Sequence, residues 1–351
     1  MVTIYDLAKK LGLSPPTISK ALNDQPDISQ RTKEKVRKLA EELGYTPNSS
    51  ARGLITKKNW LIGMIYEEEH LGLDVEHPLF AGIMNSFKAR IERAGYELLI
   101  ISRVLGNKKL SYLEHCRYRQ VDGILILNST IDNPEVLHVI HSEFPIVSAN
   151  IVYPHVCTVT SDNKEPSMQA VRYLYSLGHR RIAFIAGPSE YSSSPAIERL
   201  EGYILGLHDI GLEYDPELVV YGHHWNVESG YNAMKDLHQR KIHYTAIYCA
   251  ADVLALGVMK YCQESDICIP DDLSLIGFDD SQWASYSHPP LTTFRQNRHA
   301  IGEFAAEALL KKINGEDVDE RICVPVGFIE RQTCKKIDEF YLTRFGKGST
   351  M

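Results

Sequence analysis

From Trp60 to about residue 328, short continuous apolar runs alternate with stretches whose apolar residues recur every three or four positions. The runs are WLIGMIY, YELLIIS, VDGILIL, PIVSAN, RIAFIAG, LVVYG, TAIYC and LSLIGF. Helical spacing falls near 78–94, 108–119, 134–142, 165–177, 196–210, 227–238 and 253–264. A strand that is apolar throughout is buried on both faces, and helices between such strands make a parallel sheet covered on both sides. About 270 residues of this kind exceed one comfortable sheet, so the pattern predicts an α/β body of two similar, doubly wound lobes. The last helix, 299–313, and a strand near 323–328 are expected to return toward the first lobe.

In doubly wound sheets ligands sit outside the carboxyl ends of the strands. Asn150, Trp225, Asp252 and Asp279 each follow a run at that end, and Arg199 stands near the start of a helix in ERLEGY. A guanidinium, carboxylates, an amide and an indole suit a polyhydroxyl ligand, because planar polar groups take hydroxyls in pairs and a ring covers the apolar face of a sugar. Each residue also has a plainer reading. Asp252 either faces the cleft or caps the helix that begins DVLALG. Arg199 could pair on the surface with Glu198 or Glu201, and Trp225 could belong to the core.

Ahead of this body, residues 1–58 carry 11 Lys and Arg against 6 Asp and Glu, a net charge of +5, while the remainder carries 27 against 39, net −12. A small basic head on an acidic body is the footprint of a nucleic-acid binder joined to something else. Its residues agree. Ile4, Leu7, Ala8 and Leu11 keep helical spacing until Gly12 breaks it. Ser14 can cap a second short helix that opens on Pro15, where a proline forfeits no helical bond, and that turns Ile18, Ala21 and Leu22 inward. Two short helices about a tight glycine turn form a helix-turn-helix, whose second helix fits a major groove. A third helix is expected over about 29–43, with Arg31, Lys33, Lys35, Arg37 and Lys38 on its other faces. Gly53 and the serines make residues 45–58 a poor autonomous helix.

Other classes lack their devices. No G-x-G-x-x-G, G-x-x-x-x-G-K-[ST] or G-x-S-x-G occurs, which argues against dinucleotide, P-loop and serine-hydrolase chemistry, so no enzyme and no cofactor are expected. The 14 histidines show no H-E-x-x-H spacing, His223–His224 reads as loop, and no metal site is expected. Seven cysteines, an odd number without C-x-x-C, read as reduced thiols. The N-terminus does not read as a signal peptide, and no apolar run approaches the ~20 residues needed to span a bilayer. The expected compartment is the cytoplasm.

TIYDLAKKLGLS, TISKALN, the third helix and GYTPNSSARGL together resemble the head of LacI/GalR-type bacterial transcription regulators over about residues 3–55, and the body extends the resemblance to about residue 334. The resemblance implies a DNA-facing set of Thr3, Tyr5, Ser14, Pro15, Pro16, Thr17, Ser19, Lys20 and Asn23. It also implies a hinge helix with Asn48, Ala51, Arg52 and Leu54, in which the leucine wedges into the minor groove and kinks the duplex. Two departures stand out. Pro15 and Pro16 occupy base-reading positions and offer no hydrogen bond, so direct readout falls on Lys20, with Thr17 and Ser19 toward phosphates. Ser50 stands where relatives often have valine.

For the body, the resemblance implies a periplasmic-binding-protein-like sensor with effector contacts at Arg199, Asp279, Trp225 and Asn150, and a first-lobe segment His77, Pro78, Leu79 and Phe80 lining the cleft. Ala251 replaces an asparagine common in the family. The implied organisation is a helix-turn-helix domain over 1–47, a hinge over 48–59, an effector and dimerisation domain over 60–337, and a tail over 338–351. The implied function is a homodimeric, sequence-specific repressor of operator DNA controlled by a small molecule, a sugar being favoured by Trp225. A purine- or nucleoside-responsive regulator and a sugar-binding protein without regulatory role are the alternatives. The dimer contact is expected around Phe80, Phe87 and Ile91, unless these pack within their own lobe.

Overall fold

The structure, a computed structural model, describes residues 2–45, 58–67, 78–188 and 194–337. The chain divides into two compact units, Met1–Trp60 and Leu61–Met351.

In the first unit, α1 (Ile4–Leu11) starts at a capping box: Thr3 N donates to Asp6 Oδ2 at 2.8 Å and Asp6 N to Thr3 Oγ1 at 3.4 Å. It stops at Gly12, whose φ of 65° is left-handed and suits glycine. Ser14 caps α2 (Pro15–Leu22), and Ser29 caps α3 (Gln30–Glu42). Leu7, Ile18, Ala21, Val36 and Ala40 meet in a small closed core. Of the expected exposed cations on α3, Lys33 is instead folded inward and reaches the Asp24 carbonyl at 3.0 Å.

The second unit holds the two lobes. Six parallel strands in the order β13-β7-β6-β5-β1-β2 form the first sheet: Arg321–Val324, Cys157–Ser161, Ile146–Ala149, Gly123–Asn128, Leu61–Tyr66 and Glu97–Ile100. Helices α4 (Pro78–Arg93), α5 (Tyr112–Arg119), α6 (Pro134–Ile140) and α12 (Arg298–Ile313) belong to this lobe. A short β3–β4 hairpin (Val104–Leu105, Lys108–Lys109) occupies part of the stretch expected to be helical from 108.

The second sheet is parallel in the order β11-β10-β8-β9: Ser274–Ile276, Ala246–Cys249, Ile182–Ala186 and Val219–Tyr221. Around it lie α7 (Lys164–Ser176), α8 (Ser194–Asp209), α9 (Val227–Gln239), α10 (Asp252–Glu264) and α11 (Gln282–Tyr286). The antiparallel pair β12 (Thr293–Gln296) and β14 (Val326–Ile329) completes this lobe, with Phe294 and Phe328 packed into its core.

The backbone crosses between lobes three times: after β7, after β12, and between β13 and β14. The expected return is therefore a return and a second departure, because Pro325 divides the single predicted strand near 323–328. Two strands absent from the sequence pattern, β7 and β12, lead into the first two crossings.

Phe80, Phe87 and Ile91 are buried at 4%, 0% and 0% exposure within their own lobe. Their side chains pack inside the lobe rather than on its surface. The alternative reading of these residues holds.

Candidate ligand cleft and nucleic-acid interface

On the head, Ser14, Pro16, Lys20 and Asn23 are exposed and Pro15, Thr17 and Ser19 are partly so, while Ile18 and Ala21 face inward. Thr3, which caps the first helix, and Tyr5 on it are also exposed, Tyr5 at 71%, so an aromatic ring stands free of the small core. Thr17 and Ser14 share a hydroxyl hydrogen bond of 2.8 Å, and Asn23 Nδ2 donates to Ser19 O at 2.9 Å. Lys20 Nζ lies 2.5 Å from Asp27 Oδ2, an ion pair open to solvent on both sides. The hinge positions Asn48, Ala51, Arg52 and Leu54, and His77 of the body, lie outside the described residues.

In the body, the carboxyl ends of the strands face each other across the crossings. Arg199, on the second turn of α8, is 3% exposed. Its Nε donates to Asn163 Oδ1 at 2.9 Å and its Nη1 to Ala250 O at 2.6 Å. Its guanidinium lies 3.8 Å from the centre of the Phe278 ring, and Nη1 is 3.8 Å from Asp279 Oδ1. Nη2 has no hydrogen-bond partner among the described residues. Burial pulls the arginine's pKa down, and Asp279 opposes that shift.

Asp279 holds φ at +127°, outside ordinary L-residue space, and is fixed there by its own N–H on Phe294 O at 2.8 Å and by Gln296 N on its carbonyl at 3.3 Å. Its Oδ1 accepts from Gln296 Nε2 at 2.5 Å, and Gln296 Oε1 accepts from Ser161 Oγ at 2.6 Å. The next residue, Asp280, bridges Arg331 and Arg295 at 2.6 Å each; burial raises its carboxyl, but the two guanidinium groups hold it below the ordinary carboxylate range.

The other expected residues divide. Asn150, with φ of 84°, follows β6, and its carbonyl is 3.5 Å from Ser194 Oγ of the second lobe, a hydroxyl that accepts from Val152 N at 2.8 Å. Leu79 lines a small pocket of about 10 Å³ with Pro78, Val253, Asp279, Ser281 and Arg298, so it sits where the lobes meet. Phe80 is 4% exposed and lies edge-on to Tyr66 at 5.8 Å between ring centres. Trp225 is half-buried on the second-lobe core beside Gly187, the residue after β8.

Asp252 is neither open to the cleft nor a cap. Ala251 is the N-cap of α10, and the Asp252 carboxylate is fully buried, accepting Ser281 N at 2.7 Å and Thr293 Oγ1 at 2.5 Å. Burial first, and Asp279 second, push its pKa well above the usual carboxylate value. Gly277 makes room for it, since a β-carbon there would lie 2.3 Å from Oδ1.

Asn163, Ser161, Gln296, Glu198 and Ser194 are absent from the sequence-derived set, yet they hold the site together. Their signal was positional: Ser161, Asn163 and Gln296 stand at crossings whose leading strands are too polar to read from apolar periodicity. Among the described residues no helix is long and apolar enough to cross a membrane, and no group of three or more His, Cys, Asp or Glu could hold a metal.

A basic helix-turn-helix joined to a hinged, two-lobed body with a polar cleft defines a ligand-responsive DNA-binding protein. Residues 3–48 match the family of bacterial regulatory proteins of lacI type, and residues 171–334 match a periplasmic-binding-protein-like domain. The chain is 33% identical over 319 residues to the HTH-type transcriptional repressor CytR of Escherichia coli K12, covering 90% of this chain and 91% of that protein. It is 33% identical over 341 residues to the probable HTH-type transcriptional repressor ExuR of Bacillus subtilis 168, covering 96% and 99%. The fold superimposes on a lac repressor dimer bound to operator and the anti-inducer ONPF with a TM-score of 0.78 at 27% identity, covering 95% of this chain and 99% of that one. For a transcriptional regulator CelR–cellobiose complex the TM-score is 0.69 at 28% identity, covering 95% and 100%. The chain belongs to the lacI family, and it is a DNA-binding transcription regulator.

Proposed function

We propose that this regulator is a cytoplasmic homodimeric repressor, without enzymatic activity, that binds a near-palindromic operator and is controlled by a carbohydrate held between the lobes. The observation that carries the reading is Arg199: a buried guanidinium at the lobe junction with Nε and Nη1 held and Nη2 left to a ligand. Asp279, Asn150 and Trp225 supply a carboxylate, an amide and a ring around the same cleft, a set that takes ring hydroxyls in pairs and covers an apolar sugar face. Asp252 braces this constellation from behind by joining the start of α10 to Ser281 and Thr293.

Mechanistically, ligand in the cleft sets the angle between lobes. In a dimer that angle sets the spacing of the first lobes, and hence whether two hinge segments can pair on DNA. Effector and operator then bias one two-state body, which is allostery in the thermodynamic sense. Residues 1–47 are assigned to DNA reading, 48–59 to the hinge, 60–337 to effector binding and dimerisation, and 338–351 to a tail. On the head, the DNA-facing set is Thr3, Tyr5, Ser14, Pro15, Pro16, Thr17, Ser19, Lys20 and Asn23, continued by Asn48, Ala51, Arg52 and Leu54.

A nucleoside is the second reading, since the Trp225 ring would stack a base as readily as it covers a sugar. Thermal-shift screening of neutral sugars, uronates and nucleosides, followed by operator titration with each hit, tests both. Arg199→Ala should abolish the shift. Retention of every hit's affinity in Arg199→Ala and Asp279→Ala rejects the cleft assignment.

A further inference from the structure

Arg199 is held from one side by Asn163, and Asn163 is itself held. Its Nδ2 donates to Ser161 O and to Glu198 Oε2, each at 3.0 Å, which leaves Oδ1 directed at Arg199 Nε. The amide is 1% exposed, so a flipped orientation would aim two donors at a buried guanidinium and leave a carboxylate facing an oxygen. Glu198 and the Ser161 carbonyl together set the orientation. The second oxygen of Glu198, Oε1, accepts Arg321 Nη2 at 2.6 Å. Glu198 precedes Arg199 on α8 of the second lobe, whereas Arg321 opens β13 at the edge of the first-lobe sheet. The chain Arg321–Glu198–Asn163–Arg199 thus runs from one lobe, through the other, to a residue of the first crossing, and back to the cleft.

We infer that Glu198 is a positioning residue for the effector-binding arginine, and that through Arg321 it makes the placement of Arg199 depend on the angle between the lobes. This rests on the reading of Arg199 as an effector contact. When the lobes are together, the Arg321–Glu198 pair fixes the carboxylate, the carboxylate fixes the Asn163 amide, and the amide fixes the guanidinium. When they part, Arg321 leaves, Glu198 turns toward water, and Asn163, then held by the Ser161 carbonyl alone, grips Arg199 less firmly. Glu198 need not touch the ligand.

The relay can be read without a ligand. In the full-length protein, phenylglyoxal labelling of arginines followed by peptide mass spectrometry reports how firmly each guanidinium is held. Arg199 should label far more slowly than Arg172, which is ion-paired at the surface with Glu165 and Asp209. In Glu198→Gln and in Arg321→Ala its labelling should rise at least three-fold while that of Arg172 stays put, and Arg321→Lys should restore part of the protection. Arg321 is 40% exposed at its side chain, so Arg321→Ala keeps the fold even if Glu198→Gln does not. Unchanged Arg199 labelling in Arg321→Ala overturns the relay, and so does an equal rise at every arginine, which would mean general loosening. Failure of the cleft reading looks different: Arg199→Ala would keep its affinity for a bound sugar while the labelling pattern stayed as described.

Discussion

Trp225 rests its indole on the backbone of Gly187, so closely that a β-carbon at 187 would stand 2.3 Å from both Cζ2 and Cη2. The glycine lies at the carboxyl end of β8, where a doubly wound sheet receives ligands, and it fixes how far the ring can settle toward the sheet. Gly187→Ala should therefore push the ring outward rather than unfold the lobe. Overpacking of this kind costs about 1–3 kcal/mol. In a chain carrying Trp60→Phe and Trp283→Phe, the emission of Trp225 should shift on Gly187→Ala, and the affinity for any sugar found by screening should fall several-fold. An unchanged spectrum would mean that the ring is not seated by this contact.

His179 gives the body an acid limit. It is 2% exposed, placed between Thr245 Oγ1 at 2.9 Å and Lys335 O at 3.2 Å, and burial lowers its pKa to about 4. An exposed imidazole takes up its proton near 6.5, so between those values the unfolded chain binds a proton that the folded one refuses. The stabilisation is complete above pH 6.5 and is lost as pH falls toward 4, by up to about 3 kcal/mol. Urea unfolding at pH 7, 6, 5 and 4 should show this slope, and His179→Gln should flatten it. A parallel slope in the variant would place the acid sensitivity elsewhere.

Much of this was legible from the chain, and the exceptions have physical causes. Fully apolar runs such as Gly123–Asn128 and Ile182–Ala186 announce buried parallel strands. Cys157–Ser161 is equally buried but reads CTVTS, because Thr158 returns its hydroxyl to the carbonyl of Val156 at 3.2 Å and so tolerates a dry interior. Thr293–Gln296 hides for the same reason: Thr293 is spent on Asp252 and Gln296 on Asp279 and Ser161. Arg199 and Asp279 are visible as polar residues beside apolar runs. That Asp252 faces inward is not visible, since its donors come from Ser281 and Thr293, 29 and 41 residues away.

Asp252 makes the next prediction. Removing its carboxylate in Asp252→Ala strands the Ser281 N–H and the Thr293 hydroxyl in a dry site, and each orphaned group costs about 1–3 kcal/mol. Asp252→Asn keeps one acceptor, and the threonine hydroxyl can turn to accept from the amide, so it should lose less. The pH dependence has a sign of its own. The folded pKa is raised, so the stability this group contributes is present below the ordinary carboxylate pKa and is lost as pH rises through the raised value. Asp252→Asn removes that loss, and its stability should fall less steeply with rising pH than the wild type's. Equal slopes in chemical denaturation would show that Asp252 titrates normally.

Lys20 and Asp27 decide how the head reads. The lysine is the exposed hydrogen-bonding cation of α2, and in the free head it is paired with Asp27. To reach a base it must exchange that partner for a guanine edge. If it reads a base, Lys20→Ala should erase about ten-fold discrimination at one base pair in each half-site and leave the other positions alone. If it touches phosphate, the same substitution should weaken every operator variant equally and lower the salt slope by about one ion per head. Asp27→Asn frees the lysine in both cases and should tighten binding across all sequences. Titration of a set of single-base operator variants at two salt concentrations separates the two outcomes, and equal losses at every position would remove Lys20 from the base-reading set.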